Sequence, residues 1–227
     1  MIRAVLFDFY DTLGYLESER VLAARREIAR RAGAPEQAFF DVWRTAFQAR
    51  SLGRLGTLED EFRHVFDALA LEVPPALVAE LADFERATWC AAVRLYPDAR
   101  PTLAALRARG LALGLVSNCS AQAVAAIRAL GIPDLLDTLV ASCEVGLLKP
   151  DPAIYRQAYA ALGVEPRACA YVGDGGSREL EAAHGLGMLT VWLSRPHQRD
   201  DLDLGQPYHH RVAALDQVLR IVEQPRA

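Results

Sequence analysis

Five short apolar runs, each followed at a distance by a segment with helical spacing, constrain this chain more than any other feature. They are Arg3-Ala-Val-Leu-Phe7, Leu111-Ala-Leu-Gly-Leu-Val116, Thr138-Leu-Val-Ala141, Ala168-Cys-Ala-Tyr-Val172 and Leu189-Thr-Val-Trp-Leu193. Runs this short, without polar alternation, fit strands buried on both faces, as parallel sheets require. Between them, residues 99–109, 121–130, 152–162 and 178–186 carry helical periodicity. Strands alternating with helices of that length are βαβ units. The predicted class is therefore α/β, with a Rossmann-like parallel sheet core covered by helices on both faces.

One long segment interrupts the alternation. From residue 15 to about 92 the apolar residues recur at helical intervals, as in Phe39, Phe40, Trp43 and Phe47, or Phe62, Val65, Phe66 and Leu69. Breaks at Gly33-Ala-Pro35, Gly53 to Gly56 and Pro74-Pro75 divide it into about four helices. This predicts an inserted all-helical domain over 15–92, with the core formed by 1–14 and 93–227. The tail from Gln206 reads as a loop followed by a helix over 213–222.

The chain has 227 residues, 52% of them hydrophobic, which excludes a disordered polymer. No stretch approaches the roughly 18 apolar residues of a membrane helix, and the N-terminal run lacks the regions of a signal peptide. A cytoplasmic protein is expected. The net charge of -4, with basic residues scattered along the chain, argues against a nucleic-acid partner. Cys90, Cys119, Cys143 and Cys169 form no CxxC pair, so idle thiols are expected.

Of the 25 basic residues, 24 are Arg and one is Lys149. In a chain this biased, the exception marks a place where a compact ammonium serves and a guanidinium does not.

Ligands of parallel sheets bind at the carboxyl ends of strands. Those ends carry Asp8-Phe-Tyr-Asp-Thr-Leu13, Ser117-Asn118 and Gly173-Asp174, while Lys149 lies in Lys-Pro-Asp-Pro after the third run. A nucleophilic carboxylate, small donors, an ammonium and a second carboxylate are thus directed to one edge. In this order the four segments resemble the motifs of the haloacid dehalogenase-like (HAD) hydrolase superfamily, over about residues 1–13 and 95–195. The insertion resembles the small helical cap of its subfamily I in position, size and helicity.

The resemblance implies a mechanism with physical sense. Asp8 is the nucleophile of a covalent aspartyl intermediate. Lys149 neutralises Asp8 and the substrate, and Ser117 holds transferring oxygens. Thr12 and Asn118 orient the substrate and its neighbours. Mg²⁺ is implied as cofactor, held by Asp8, the Tyr10 carbonyl and Asp174, with Glu179 supporting the ion or its waters. The implied partner is a small phosphorylated metabolite.

Tyr10 departs from the phosphatase pattern, which has a second Asp there as general acid and base. A phenol is a poor base near neutrality. Tyr10 together with Lys-Pro-Asp-Pro also resembles the 2-haloacid dehalogenase branch, where a departing halide needs no proton and no metal is used. Gly173-Asp174 and Glu179 point the other way, because an acidic pair serves no purpose in a metal-free dehalogenase pocket. The leading expectation is a Mg²⁺-dependent phosphatase. The alternatives are a 2-haloacid dehalogenase, and a protein that binds phosphorylated ligands with little turnover. Asp11 is expected to form a turn, Trp43 to be a core residue beside a solvated Arg44, and His209-His210 to lie in a surface loop.

Overall fold

The computed structural model describes residues 1–196 and 205–224. Residues 197–204 and 225–227, assigned to the core by sequence, lie outside the described residues. The elements begin with β1 (Ala4–Phe7) and β2 (Gly14–Leu16), followed by α1 (Ser18–Ala32), α2 (Glu36–Thr45), α3 (Phe47–Ser51), α4 (Leu58–Ala68) and α5 (Pro75–Ala92). Then come β3 (Val93–Leu95), α6 (Ala99–Ala108), β4 (Ala112–Ser117), α7 (Ala121–Ala129), β5 (Thr138–Ala141) and α8 (Ser142–Val145). The chain continues through α9 (Pro152–Ala161), β6 (Cys169–Gly173), α10 (Glu179–Gly185), β7 (Leu189–Leu193), β8 (His210–Val212) and α11 (Val218–Ile221).

Six strands form one parallel sheet in the order β5-β4-β1-β6-β7-β8. The first run is the central strand, flanked by β4 with Ala4 opposite Ala112 and by β6 with Ala4 opposite Cys169. Its side chains alternate between faces. Val5 and Phe7 join Leu103, Leu106 and Ile127 from α6 and α7, while Ala4 and Leu6 join Ile154, Ala158 and Leu180 from α9 and α10. Burying each large apolar side chain contributes roughly 1.5–3 kcal/mol, so both helical layers stabilise the same strand.

The helices α1, α2, α4 and α5 carry a separate apolar cluster built on Ile28, Phe39, Trp43, Phe62, Phe66 and Leu81. The α4 helix is started by Thr57, whose hydroxyl accepts from the Asp60 N–H while the Asp60 carboxylate accepts from the Thr57 N–H. The segment leaves and rejoins the core through the antiparallel ribbon β2–β3, with Gly14 opposite Leu95.

Three expectations are corrected. The insertion holds five helices, because the chain turns at Ala46 and starts α3, leaving Phe47 59% exposed and outside the cluster with Phe39. His210 belongs to β8, an edge strand paired with β7, whereas His209 lies in an exposed bend as expected, its backbone N–H donating to the Thr190 carbonyl and its ring tilted against His184 with centroids 4.7 Å apart. The final α-helix is confined to α11, because Asp98 accepts from the Leu215 N–H and a 3₁₀ turn over Leu215–Gln217 precedes it.

Candidate active site

The site lies where β1, β4 and β6 end. Asp8 follows β1, and its backbone N–H donates to the Val172 carbonyl at 3.0 Å, which anchors it between neighbouring strands. The chain then wraps over the Phe9 carbonyl, which accepts from Leu13 and Gly14, each at 2.9 Å. Asp11 sits in this turn with φ of 56°, a left-handed conformation that Asp tolerates better than most residues.

Lys149 reaches the same point from the loop before α9. Its Nζ stands 2.6 Å from Asp8 Oδ1 and 2.5 Å from Glu179 Oε2, and all three side chains are almost fully buried. Asn118 fixes the lysine main chain, accepting from the Lys149 N–H at 2.8 Å and donating to its carbonyl at 3.0 Å. It therefore acts on the position of Lys149 as well as bordering the pocket. The Glu179 carboxylate also accepts from the Tyr171 hydroxyl at 2.8 Å and the Gly175 N–H at 3.2 Å. Gly173 makes this possible, since a Cβ there would sit 1.9 Å from Glu179 Oε1.

A pocket of about 160 Å³ collects Asp8, Tyr10, Asn118, Lys149, Asp174 and Glu179, together with Gly176 and Ser177. Thr12 and Ser117 do not line it. Both are buried, and their hydroxyls make no hydrogen bond among the described residues, as is also true of the Tyr10 hydroxyl. Tyr10 packs edge-on against Phe9 and Trp89. Burial, then Cys119 and Asp8, push its phenol well above the ordinary tyrosine pKa, so it stays protonated near neutrality.

Three carboxylates share this pocket with one ammonium. Burial lowers the Lys149 pKa, but Asp8 and Glu179 outweigh it and hold the ammonium charged. Burial and Asp8 raise Asp174 to about 6, and burial, with Asp8 and Asp174, raises Glu179 to about 8 despite Lys149. Such shifts express excess negative charge in a poorly solvated space. One oxygen from each of Asp8, Asp174 and Glu179 lies within 4.8 Å of the others. The donors are all oxygens, so the set fits a hard divalent cation such as Mg²⁺. Both Glu179 oxygens already accept hydrogen bonds, whereas among the described residues the Asp174 carboxylate has one, Oδ1 accepting from the Gly176 N–H at 2.9 Å. Asp8 and Asp174 are thus the better placed carboxylates.

Sequence reading missed two buried tyrosines beside the site. Tyr155 donates its hydroxyl to the Glu179 carbonyl at 3.1 Å, and the Tyr171 oxygen lies 3.3 Å from Lys149 Nζ. For Tyr171 the available signal was a phenol inside an otherwise apolar strand; Tyr155, in α9 beside Arg156 and Gln157, carried none. Trp43 lies in the helical cluster and Arg44 is exposed beside Asp41, as expected for a core residue next to a solvated one.

The chain is 35% identical over 211 residues to a glyceraldehyde 3-phosphate phosphatase of Methanopyrus kandleri, covering 88% of this chain and 87% of that protein. It is 27% identical to (S)-2-haloacid dehalogenase 1 of a Pseudomonas species, covering 97% and 96%. The crystal structure of a HAD phosphatase from Thermococcus onnurineus covers all of both chains with a TM-score of 0.68 at 26% identity. The family model described as haloacid dehalogenase-like hydrolase matches residues 2–187. That span includes every residue lining the pocket around Asp8, and the chain belongs to the haloacid dehalogenase-like hydrolases.

Proposed function

We propose that this hydrolase is a Mg²⁺-dependent phosphatase of a small phosphorylated metabolite, with residues 15–92 acting as a cap over the site. The observation that carries the reading is the pairing of Asp8 with Asp174 in a pocket where, among the described residues, Lys149 alone offsets three carboxylates. Asp8 and Asp174, with the Tyr10 carbonyl, would hold Mg²⁺, which when bound supplies countercharge to the carboxylate and the phosphoryl group. An Asp8 oxygen attacks phosphorus, forming an aspartyl-phosphate as the bond to the leaving alkoxide breaks. Lys149 neutralises the nucleophile and the equatorial oxygens, and the protonated Tyr10 hydroxyl hydrogen-bonds to the departing oxygen, which takes its proton from solvent. Water then attacks phosphorus, releasing inorganic phosphate and restoring the Asp8 carboxylate. Glu179 and Asn118 hold Lys149 in place.

Tyr10 favours a second reading, a 2-haloacid dehalogenase, in which Asp8 displaces halide from carbon. An anionic haloacid would then enter beside Asp174 as well as Asp8, with Lys149 but no metal ion to offset the added charge, which disfavours it. Turnover of 4-nitrophenyl phosphate with Mg²⁺, abolished by excess chelator, supports the phosphatase. Chelator-insensitive halide release from 2-chloropropionate, without phosphatase turnover, overturns it.

A further inference from the structure

A second cavity of about 340 Å³ adjoins the catalytic pocket, since Tyr10 and Asn118 line both. Its walls are mainly apolar, with Leu16, Phe47, Trp89 and Ala123, yet two arginines, Arg25 and Arg50, line it and no Asp or Glu among the described residues does. The two arginines differ in what they have left to offer. Arg25 is held by Glu85, with Nη2 at 2.9 Å and Nε at 3.0 Å from the carboxylate. Arg50 is only 6% exposed and, among the described residues, makes one hydrogen bond, from Nη2 to the Trp43 carbonyl at 2.9 Å. Its guanidinium carbon lies 4.0 Å from the Trp43 ring centre, and its Nε is buried without a partner.

We infer that Arg50 forms an anion subsite in this cavity, so that the substrate is a phosphomonoester bearing a carboxylate at the end remote from the phosphate. This rests on the phosphatase reading of the Asp8 pocket. A buried guanidinium with unused donors and no ion pair among the described residues is costly unless a ligand completes it. Burial lowers its pKa to about 10, which leaves it charged at neutral pH. Arg50 also borders a cavity of about 210 Å³, but Glu61 lines that space, and the other cation there, Arg128, is already paired with Glu144 at 2.7 Å. The acid-free cavity next to Asp8 is therefore the side on which a carboxylate binds. Its size suits a small ligand, and its apolar walls strengthen a charge-assisted hydrogen bond by excluding water.

The test compares 3-phosphonopropionate with propylphosphonate, two non-hydrolysable ligands differing by a carboxylate, by titration calorimetry on the whole protein with Mg²⁺. The subsite predicts at least about tenfold tighter binding of 3-phosphonopropionate. Arg50→Met brings the ratio of the two dissociation constants close to one, and Arg50→Lys retains part of the preference. Equal binding of the two ligands, binding of neither, or a preference that survives Arg50→Met overturns the inference. Turnover of 4-nitrophenyl phosphate by the same preparation separates the two claims: turnover with equal phosphonate binding rejects the subsite alone, and loss of turnover with intact preference rejects the phosphatase reading alone.

Discussion

Lys149 Nζ lies 2.6 Å from Asp8 Oδ1 at the end of the central strand, although the residues are 141 positions apart in sequence. The sole lysine of the chain is thus placed where a compact ammonium fits between Asp8 and Glu179. Lys149→Met is predicted to lower kcat/KM for aryl phosphate by roughly 100- to 1,000-fold, the scale of losing one preorganised donor at a developing charge. Lys149→Arg does not restore it, because a planar guanidinium does not occupy the space of an ammonium. Steady-state kinetics on both variants checks this.

Asp174 and Glu179 are predicted to separate kinetically. Asp174→Asn raises the half-saturating Mg²⁺ concentration by roughly 10- to 100-fold, the usual scale for weakening a metal site. Glu179→Gln lowers kcat with a smaller change in Mg²⁺ requirement, because both its oxygens are engaged by Lys149, Tyr171 and Gly175. Mg²⁺ titrations of the two variants distinguish these outcomes.

The phenol of Tyr10 is protonated near neutrality and makes a poor base for the water that cleaves the intermediate. Tyr10→Asp is predicted to raise kcat for alkyl phosphates by roughly 10-fold or more, with a smaller gain for aryl phosphates, whose leaving groups need little proton assistance. The ratio of alkyl to aryl turnover in wild type and variant measures it.

Glu61 is almost fully buried, and burial raises its pKa from 4.5 to about 7 despite Arg50 and Arg25. A carboxyl with a raised folded-state pKa binds its proton more tightly folded than unfolded, so its contribution to stability is full below pH 4.5 and is lost as pH rises through about 7. Glu61→Gln is predicted to gain up to about 3 kcal/mol relative to wild type between pH 5 and pH 8. Urea unfolding of both proteins at the two pH values gives the difference.

The five apolar runs were legible as strands because both faces of each are buried, which removes polar alternation and leaves a plain signal. β8 was not, since His210-Arg211-Val212 has no apolar run and becomes a strand only through pairing with β7. The ribbon β2–β3 is three residues on each side, too short for a periodic pattern. At the site, Asp8, Asn118 and Asp174 were legible because strand ends point to one edge, Lys149 stood out as the one lysine of the chain, and Glu179 was implied by the family resemblance alone. The hold of Glu179 and Asn118 on Lys149 depends on side-chain directions that spacing does not encode. Arg50 was illegible for the same reason: among 24 arginines, burial without an acidic partner leaves no mark in the sequence.

The most direct test of the account is acid-quenched mass spectrometry of the protein during turnover of 4-nitrophenyl phosphate with Mg²⁺. The account predicts a phosphoryl mass increment on the peptide containing Asp8, absent in Asp8→Asn. Turnover with no adduct at Asp8, or with the adduct on another residue, would contradict it.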